Sequence, residues 1–84
     1  MVLYVLPREG SVRAGFVAGR RIGGAVVRNR ARRQLREAWR ALAPSASGGF
    51  DIVIVARPTI RGAKMRELID NMDEALGRAG LIER

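Results

Sequence analysis

The hydrophobic positions divide the 84-residue chain into three short apolar segments and two amphipathic ones. The short segments, residues 1–6, 12–18 and 50–56, are rich in β-branched and aromatic residues, which predicts strands. Residues 25–43 and 63–79 repeat apolar residues at intervals of three and four, which predicts helices. The order β-β-α-β-α therefore predicts an α+β domain in which a small sheet packs against helices.

The strand segments predict how the sheet is built. The first two strands are expected to pair as an antiparallel hairpin, because only a short connection around Gly10 separates them. Alternation in the first strand places three side chains on one face: Val2, Tyr4 and Leu6. Residues 52–55 of the third strand show no alternation, so we expect that strand to be covered on both faces. Gly15 in the second strand predicts a bulge or a close backbone approach.

The first predicted helix carries most of the positive charge. The formal net charge is +8, and between Arg20 and Arg40 there are eight arginines and one acid, Glu37, while the rest of the chain is close to charge balance. Arginines four residues apart repel one another on a helix, so helix stability does not explain the pattern. A guanidinium binds phosphate through paired hydrogen bonds, and Gly23 and Gly24 leave backbone N–H groups open to an anion. The segment predicts a nucleic-acid-binding helix.

The composition removes most protein-borne catalysis. The chain has no cysteine and no histidine, which excludes disulfides, thiolate nucleophiles and imidazole bases. The serines fall in predicted loops without an adjacent base, so we expect no catalytic residue. The second helix mixes acidic and basic residues, as a solvated face does, and we expect no metal site in the protein. The sequence shows neither a membrane-spanning run nor a secretory signal, and we expect a cytoplasmic protein.

The segment R-A-G-F-V-A-G-R-R-I-G-G-A-V-V-R-N-R-A-R-R-Q-L-R-E-A-W, residues 13–39, resembles the RNR region of the bacterial ribonuclease P protein family. V-L-Y-V-L before it, F-D-I-V-I-V-A-R after it and a closing G-R-A-G-L extend the resemblance over essentially the whole chain. The resemblance implies a single domain, residues 1–84, with the ribonuclease P protein-like fold, which is also that of ribosomal protein S5 domain 2. That fold includes a left-handed βαβ crossover, against the usual hand.

The resemblance also implies a function. Members of the family are accessory subunits of a ribonucleoprotein endoribonuclease that removes the 5′ leader of precursor tRNA, and catalysis and Mg²⁺ belong to its RNA subunit. The implied partners are therefore the ribonuclease P RNA subunit and precursor tRNA. The residues implied to bind the RNA subunit, together with Arg40 on the same helix face, are Arg20, Arg21, Arg28, Asn29, Arg30, Arg32, Arg33 and Arg36. The leader is implied to contact Tyr4, together with Phe16 on the neighbouring strand.

The chain departs from the family pattern in two places. It enters directly at a strand, without the N-terminal helix and first short strand of the family, which leaves apolar sheet surface uncovered and predicts self-association through it. Gly19 stands where the family has serine before a basic pair. Three other functions remain open: a general structural RNA-binding protein, a membrane-surface helix and, least favoured, a stand-alone nuclease.

Overall fold

The computed structural model describes residues 1–82, which form three strands, two α-helices and three short 3₁₀ turns. The strands are β1 (Val2–Pro7), β2 (Arg13–Val17) and β3 (Phe50–Val55), and the helices are α1 (Ala25–Leu42) and α2 (Met65–Arg78). The 3₁₀ turns are Arg20–Ile22, Ala43–Ser45 and Pro58–Ile60. The predicted α+β class and the order β-β-α-β-α are confirmed.

The sheet is mixed, with the order β1-β3-β2. β3 pairs antiparallel with β1 and parallel with β2, so the predicted β1–β2 hairpin is wrong. β3 has the longest uninterrupted apolar run, and the central position gives it hydrogen-bonded neighbours on both sides. The parallel pair is joined through α1 as a βαβ crossover, and the left hand expected for it stays a prediction.

The connection between β1 and β2 passes over the start of β3. Skipping one strand requires a span of about 10 Å, and a five-residue connection reaches about 17 Å when extended. The N–H of Arg8 donates to the carbonyl of Gly49 at 3.1 Å. A Cβ atom on Gly49 would lie 2.2 Å from the carbonyl oxygen of Arg8, so only glycine fits beneath the connection. The short connection predicted a hairpin, but it is also long enough to cross β3.

Both helices pack against one face of the sheet. α1 buries the apolar stripe predicted for it, with Ala31, Leu35 and Ala38 buried, and α2 buries Leu68, Met72 and Leu76. From the sheet, Ile52 and Ile54 enter the same core and are 1% and 0% exposed. The fully buried side chains of largest volume are Ile22, Leu35, Ile52, Ile54, Met72 and Leu76. The helix arginines are thus held on an element that the core fixes in place.

The other face of the sheet is uncovered, and we call it the open face: Val2, Tyr4, Leu6, Arg13, Gly15, Val17, Asp51, Val53 and Val55. Tyr4 is 61% and Leu6 68% exposed, which confirms the predicted alternation of β1. Val53 is 38% exposed, so the prediction that β3 is covered on both faces is wrong. The uncovered apolar surface expected from the sequence is present, and self-association through it stays a prediction.

Gly15 has a different role from the one predicted. It pairs in regular register with Val53, and a Cβ atom on it would meet nothing within 4 Å. There is neither a bulge nor a close approach at this position, so that prediction is wrong. Tyr4 pairs with the same Val53 from the other side. Because Gly15 has no side chain, the open face has a shallow depression beside Tyr4 and Val53.

Candidate nucleic-acid interface

The flank of α1 nearest β2 carries a continuous set of guanidinium groups. We call this surface the arginine face, and it consists of Arg28, Arg32, Arg33, Arg36 and Arg40. Helical spacing places these residues within about 140° of one another around the axis. Arg28 and Arg32 are half-buried and the other three are exposed. The half-buried pair is nearest to the apolar stripe, so packing limits the movement of its side chains.

The arginine face has no acidic counterpart in the part of the chain that the structure describes. Among residues 1–82, the arginines with a carboxylate oxygen within 4.0 Å are Arg8, Arg13 and Arg78, none of which belongs to this face. The neutral side chain of Asn29 does contact this face, and its Oδ1 accepts a hydrogen bond from the Nη2 of Arg32. The five positive charges are therefore available to an external anion.

Arg28 has a buried donor that no described residue satisfies. Its Nε is buried and finds no hydrogen-bond partner among residues 1–82. Buried donors in folded proteins are nearly always paired, because an unpaired one costs free energy. The residue that precedes α1, Gly24, is extended and offers no side-chain cap, and the first turn of the helix contains no acid. The start of the helix thus presents backbone N–H groups and an arginine together, an arrangement that favours an anion.

Phe16 supports the arginine face from below and does not belong to the open face. It pairs with Ile54 on the helix-covered side of β2, where it is half-buried against the core. The guanidinium carbon of Arg36 lies 5.6 Å from the centroid of its ring, which is cation–π geometry. Tyr4 lies on the opposite face of the sheet. The two aromatics expected to contact the leader therefore share no surface, and Phe16 is better described as a support for Arg36.

Arg20 and Arg21 lie apart from the arginine face. Both are exposed in the 3₁₀ turn after β2 and line a cavity at one end of the open face. Val2, Val17 and Val55 contribute apolar side chains to this cavity. Residues 56–58, at the end of β3, complete the lining and bring in Arg57.

Arg57 is a basic residue that the sequence analysis missed. Parallel neighbours end at the same edge of a sheet, so the residues that follow β2 and β3 come together. The sequence shows that Arg57 follows β3, but its closeness to Arg20 and Arg21 can be inferred only if β2 and β3 are known to be parallel neighbours. Because β2 was assigned to a hairpin with β1, Arg57 was not placed beside Arg20 and Arg21.

Arg30 lies on the side of α1 that faces α2. It lines a groove with Gln34, Val27 and Ala31 of the helix, and residues 60–63 form the other wall. The nine residues expected from the sequence to bind the RNA subunit therefore fall into three places: the arginine face with Asn29, the end of the open face, and this groove.

At the other end of the open face, Asp51 is held between two arginines. Its carboxylate accepts hydrogen bonds from the Nε and Nη2 of Arg13 at 3.0 and 3.1 Å, and the Nε of Arg8 lies 3.4 Å away. The hydrogen bonds from Arg13 hold the pKa of Asp51 below its ordinary value, and the positive charges of Arg13 and Arg8 act in the same direction.

This pair predicts an acid-sensitive stability. A carboxyl whose folded-state pKa is depressed stabilises the fold above its unfolded pKa, near 4, and the contribution is lost as the pH falls through the folded-state value. The wild type should therefore lose thermal stability below about pH 4, and Asp51→Asn should flatten that part of the profile. Melting temperatures measured by circular dichroism between pH 2 and 7 test this, with Glu74→Gln, in an exposed helix pair, as control. An Asp51→Asn profile parallel to that of the wild type would contradict the assignment.

Two kinds of feature are absent from residues 1–82: a cluster of metal ligands and a membrane-spanning helix. No three metal-ligating side chains come together within this part of the chain. None of its helices is both long and apolar enough to cross a lipid bilayer.

Comparison with known proteins places this surface in context. The sequence model of a family described as ribonuclease P matches residues 1–80. The chain is 45% identical to the ribonuclease P protein component of Symbiobacterium thermophilum, over 99% of this chain and 74% of that protein. It is 44% identical to the corresponding protein of Chloroflexus aurantiacus, over 98% of this chain and 62% of the relative, so it spans only part of these relatives.

Solved structures agree with the fold. The RNase P protein from Thermotoga maritima superposes with a TM-score of 0.81 at 25% identity, over 98% of this chain and 76% of that one. The RNase P protein of Staphylococcus aureus superposes with a TM-score of 0.80 at 20% identity, over 96% of this chain and 75% of that one. The three-stranded mixed sheet with two helices therefore matches the part of each of these structures that the chain covers. With the match of the family model over residues 1–80, these findings show that the chain belongs to the ribonuclease P protein family.

Proposed function

We propose that this chain is the protein subunit of ribonuclease P, and that it binds the catalytic RNA subunit and the 5′ leader of precursor tRNA. The observation that carries the proposal is the arginine face: five guanidinium groups on one flank of a core-anchored helix, without an acidic partner among residues 1–82. Membership of the family supports the choice of RNA over other polyanions. Because precursor tRNA is made in the cytoplasm, the proposal includes a cytoplasmic location.

The arginine face would act by neutralising phosphates of the RNA subunit. Each guanidinium that binds a phosphate releases condensed counterions, so affinity falls as salt concentration rises. Neutralisation also lowers the repulsion between RNA segments that approach one another in the folded subunit, which reduces the Mg²⁺ needed to hold them together. In this proposal the Mg²⁺ and the hydrolytic step belong to the RNA, and the protein positions substrate and stabilises structure.

The open face would hold the single-stranded leader. Tyr4 offers an exposed aromatic ring on which an unpaired base can stack, and Gly15 leaves space beside it. Arg20, Arg21 and Arg57 lie at one end of the face, where they can contact the phosphates that connect the stacked bases. This combination of a stacking platform with basic residues at its end suits a single strand whose sequence varies.

The stacking role predicts the effect of Tyr4→Ala. Loss of one stacked base costs about 1–3 kcal/mol, so affinity for precursor tRNA should fall about 5- to 150-fold. Affinity for mature tRNA, which has no leader, should not change. Binding of both tRNAs to the reconstituted complex measures this, and Tyr4→Phe, which keeps the ring, is the matched control. An equal loss for precursor and mature tRNA would contradict leader stacking at Tyr4.

Specificity for the RNA subunit separates this proposal from a general RNA-binding protein. Both functions predict a salt-dependent affinity, because both use the arginine face. A ribonuclease P subunit should bind ribonuclease P RNA more tightly than an unrelated folded RNA of equal length, at the same salt and Mg²⁺ concentrations. Titration of the two labelled RNAs with the chain tests this, and equal affinities at every salt concentration would favour the general function.

A further inference from the structure

The groove between α1 and residues 60–63 has two arginines facing one space from different elements. Arg30 comes from α1, and Arg61 comes from the connection between β3 and α2. Gln34, half-buried one helical turn beyond Arg30, also lines the groove and offers a side-chain amide. Neither Arg30 nor Arg61 has a carboxylate oxygen of residues 1–82 within 4.0 Å.

A tight turn fixes the position of Arg61. The N–H of Ala63 donates to the carbonyl of Ile60 at 3.1 Å. Arg61 has φ −67° and ψ 120°, and Gly62 follows with φ +83°. These values define a type II turn, which requires a positive φ at its third residue and therefore favours glycine there. Arg61 is thus presented at the rim of the groove by a defined turn.

The charge around this turn is also of one sign. Residues 57–64 contain three basic residues and no acid. The near balance of charge outside the α1 segment conceals this cluster, because the acids that offset it lie elsewhere in the sequence. The next acid, Glu67, is engaged locally, since its carboxylate accepts the N–H of Lys64 at 3.1 Å. Two guanidiniums that face one groove repel each other, and an anion between them converts the repulsion into attraction.

We propose that this groove is a second phosphate-binding site for RNA, in which Arg30 and Arg61 bind one backbone phosphate from two sides and Gln34 donates from its amide. The inference rests on the proposed function and deepens it, because it gives the RNA a contact on the α2 side of α1, beyond the arginine face. Arg33 is the member of the arginine face nearest to Arg30 around the helix, so a single RNA can reach both surfaces.

Salt-dependent binding of the full chain to ribonuclease P RNA tests the proposal. Arg61→Gln should weaken binding about 3- to 10-fold and reduce the slope of log K against log salt by about 1, as expected for the loss of one phosphate contact. Arg78→Gln is the matched control, because it removes the same charge from an exposed site at the far end of α2 and should change the slope by much less. Melting temperatures of all variants show whether each one is folded.

A double-mutant cycle tests the shared phosphate. If Arg30 and Arg61 bind the same group, Arg30→Gln combined with Arg61→Gln should weaken binding by less than the product of the two single effects. Arg36→Gln combined with Arg61→Gln should give the full product, because Arg36 lies on the arginine face. Multiplicative effects of Arg30 and Arg61, or an Arg61→Gln slope equal to that of Arg78→Gln, would overturn the proposal.

The outcome for the groove can be distinguished from the outcome for the proposed function. If the wild type binds ribonuclease P RNA and unrelated RNA equally, the proposed function fails, yet the slopes of the variants on either RNA still report whether the groove binds phosphate. If the wild type prefers ribonuclease P RNA and Arg61→Gln matches Arg78→Gln, the function stands and the groove proposal fails.

Discussion

Arg28→Ala combined with Arg32→Ala is expected to weaken binding of ribonuclease P RNA on the order of 30-fold or more. Hydrogen bonds to charged groups contribute about 1.5–3 kcal/mol each, and a loss of about 2 kcal/mol corresponds to roughly 30-fold. Both side chains are half-buried, so less side-chain entropy is lost when they bind than for a fully exposed arginine. The slope of log K against log salt should fall by about 2.

The same double variant should fold as well as the wild type. Alanine has the highest helix propensity, and the substitution removes repulsion between arginines four residues apart. It also removes the unpaired Nε of Arg28. The expected result is therefore a large loss of RNA affinity at an unchanged or higher melting temperature, which is the behaviour of residues retained for binding.

A matched control distinguishes the loss of a defined binding site from the loss of net positive charge. Arg66→Ala combined with Arg78→Ala also removes two positive charges, from exposed positions on α2. Neither of these residues belongs to the arginine face or lines the groove. Its effect on affinity should be several-fold smaller. Equal losses for the two double variants would show that RNA responds only to net charge, and would contradict a defined binding face.

Ile54→Ala is expected to lower the free energy of unfolding strongly. Ile54 is fully buried in the central strand, between Leu3 and Phe16 in register. Such a truncation costs about 2–5 kcal/mol because it leaves a cavity. A chain of this length has roughly 4–12 kcal/mol of total stability, so a large part of it would be lost. Urea unfolding followed by circular dichroism measures the difference.

The adjacent position provides the control for the one-sided sheet. Val53 is 38% exposed on the open face, and Val53→Ala should cost no more than about 1 kcal/mol, since little apolar area returns to water. The two residues are neighbours in one strand and are both aliphatic, so the contrast isolates the side of the sheet. A cost for Val53→Ala comparable with that for Ile54→Ala would mean that the open face is covered, as a second copy of the chain would cover it.

The helix α1 was predictable because its information is local. The spacing of Ala31, Leu35 and Ala38 determines which side faces the core, and the arginine positions follow from the same periodicity. Gly24 at the start of the helix was also identified from the sequence alone. The order of the elements predicted the α+β class, and the resemblance to the ribonuclease P family added the ribonuclease P protein-like fold, which the comparisons confirm.

The sheet was less predictable because strand pairing is not local. A short connection between two strands favours a hairpin, yet here it passes over Gly49 and leaves β3 between β1 and β2. The apolar run of β3 was interpreted as burial on both faces, whereas Val53 faces solvent. An apolar residue on an exposed face has the same sequence signature as a buried one.

The composition of the binding surfaces depended on that pairing. Phe16 was grouped with Tyr4 as an aromatic of the sheet, and only the register shows that it lies on the opposite face, under Arg36. Arg57 and Arg61 were not identified because overall charge balance in the remainder of the chain concealed a local cluster. Their positions follow once β2 and β3 are known to be parallel neighbours, since both strands then end at the same edge.

The measurement that tests the central claim most directly is cleavage of a precursor tRNA by a bacterial ribonuclease P RNA at low Mg²⁺, with and without this chain. The proposed function predicts that the wild type stimulates cleavage at the 5′ leader junction, that the Arg28→Ala/Arg32→Ala variant does not at the same concentration, and that the Arg66→Ala/Arg78→Ala variant does. No stimulation by the folded wild type at concentrations that saturate the RNA would contradict the account and leave a general RNA-binding protein as the better description.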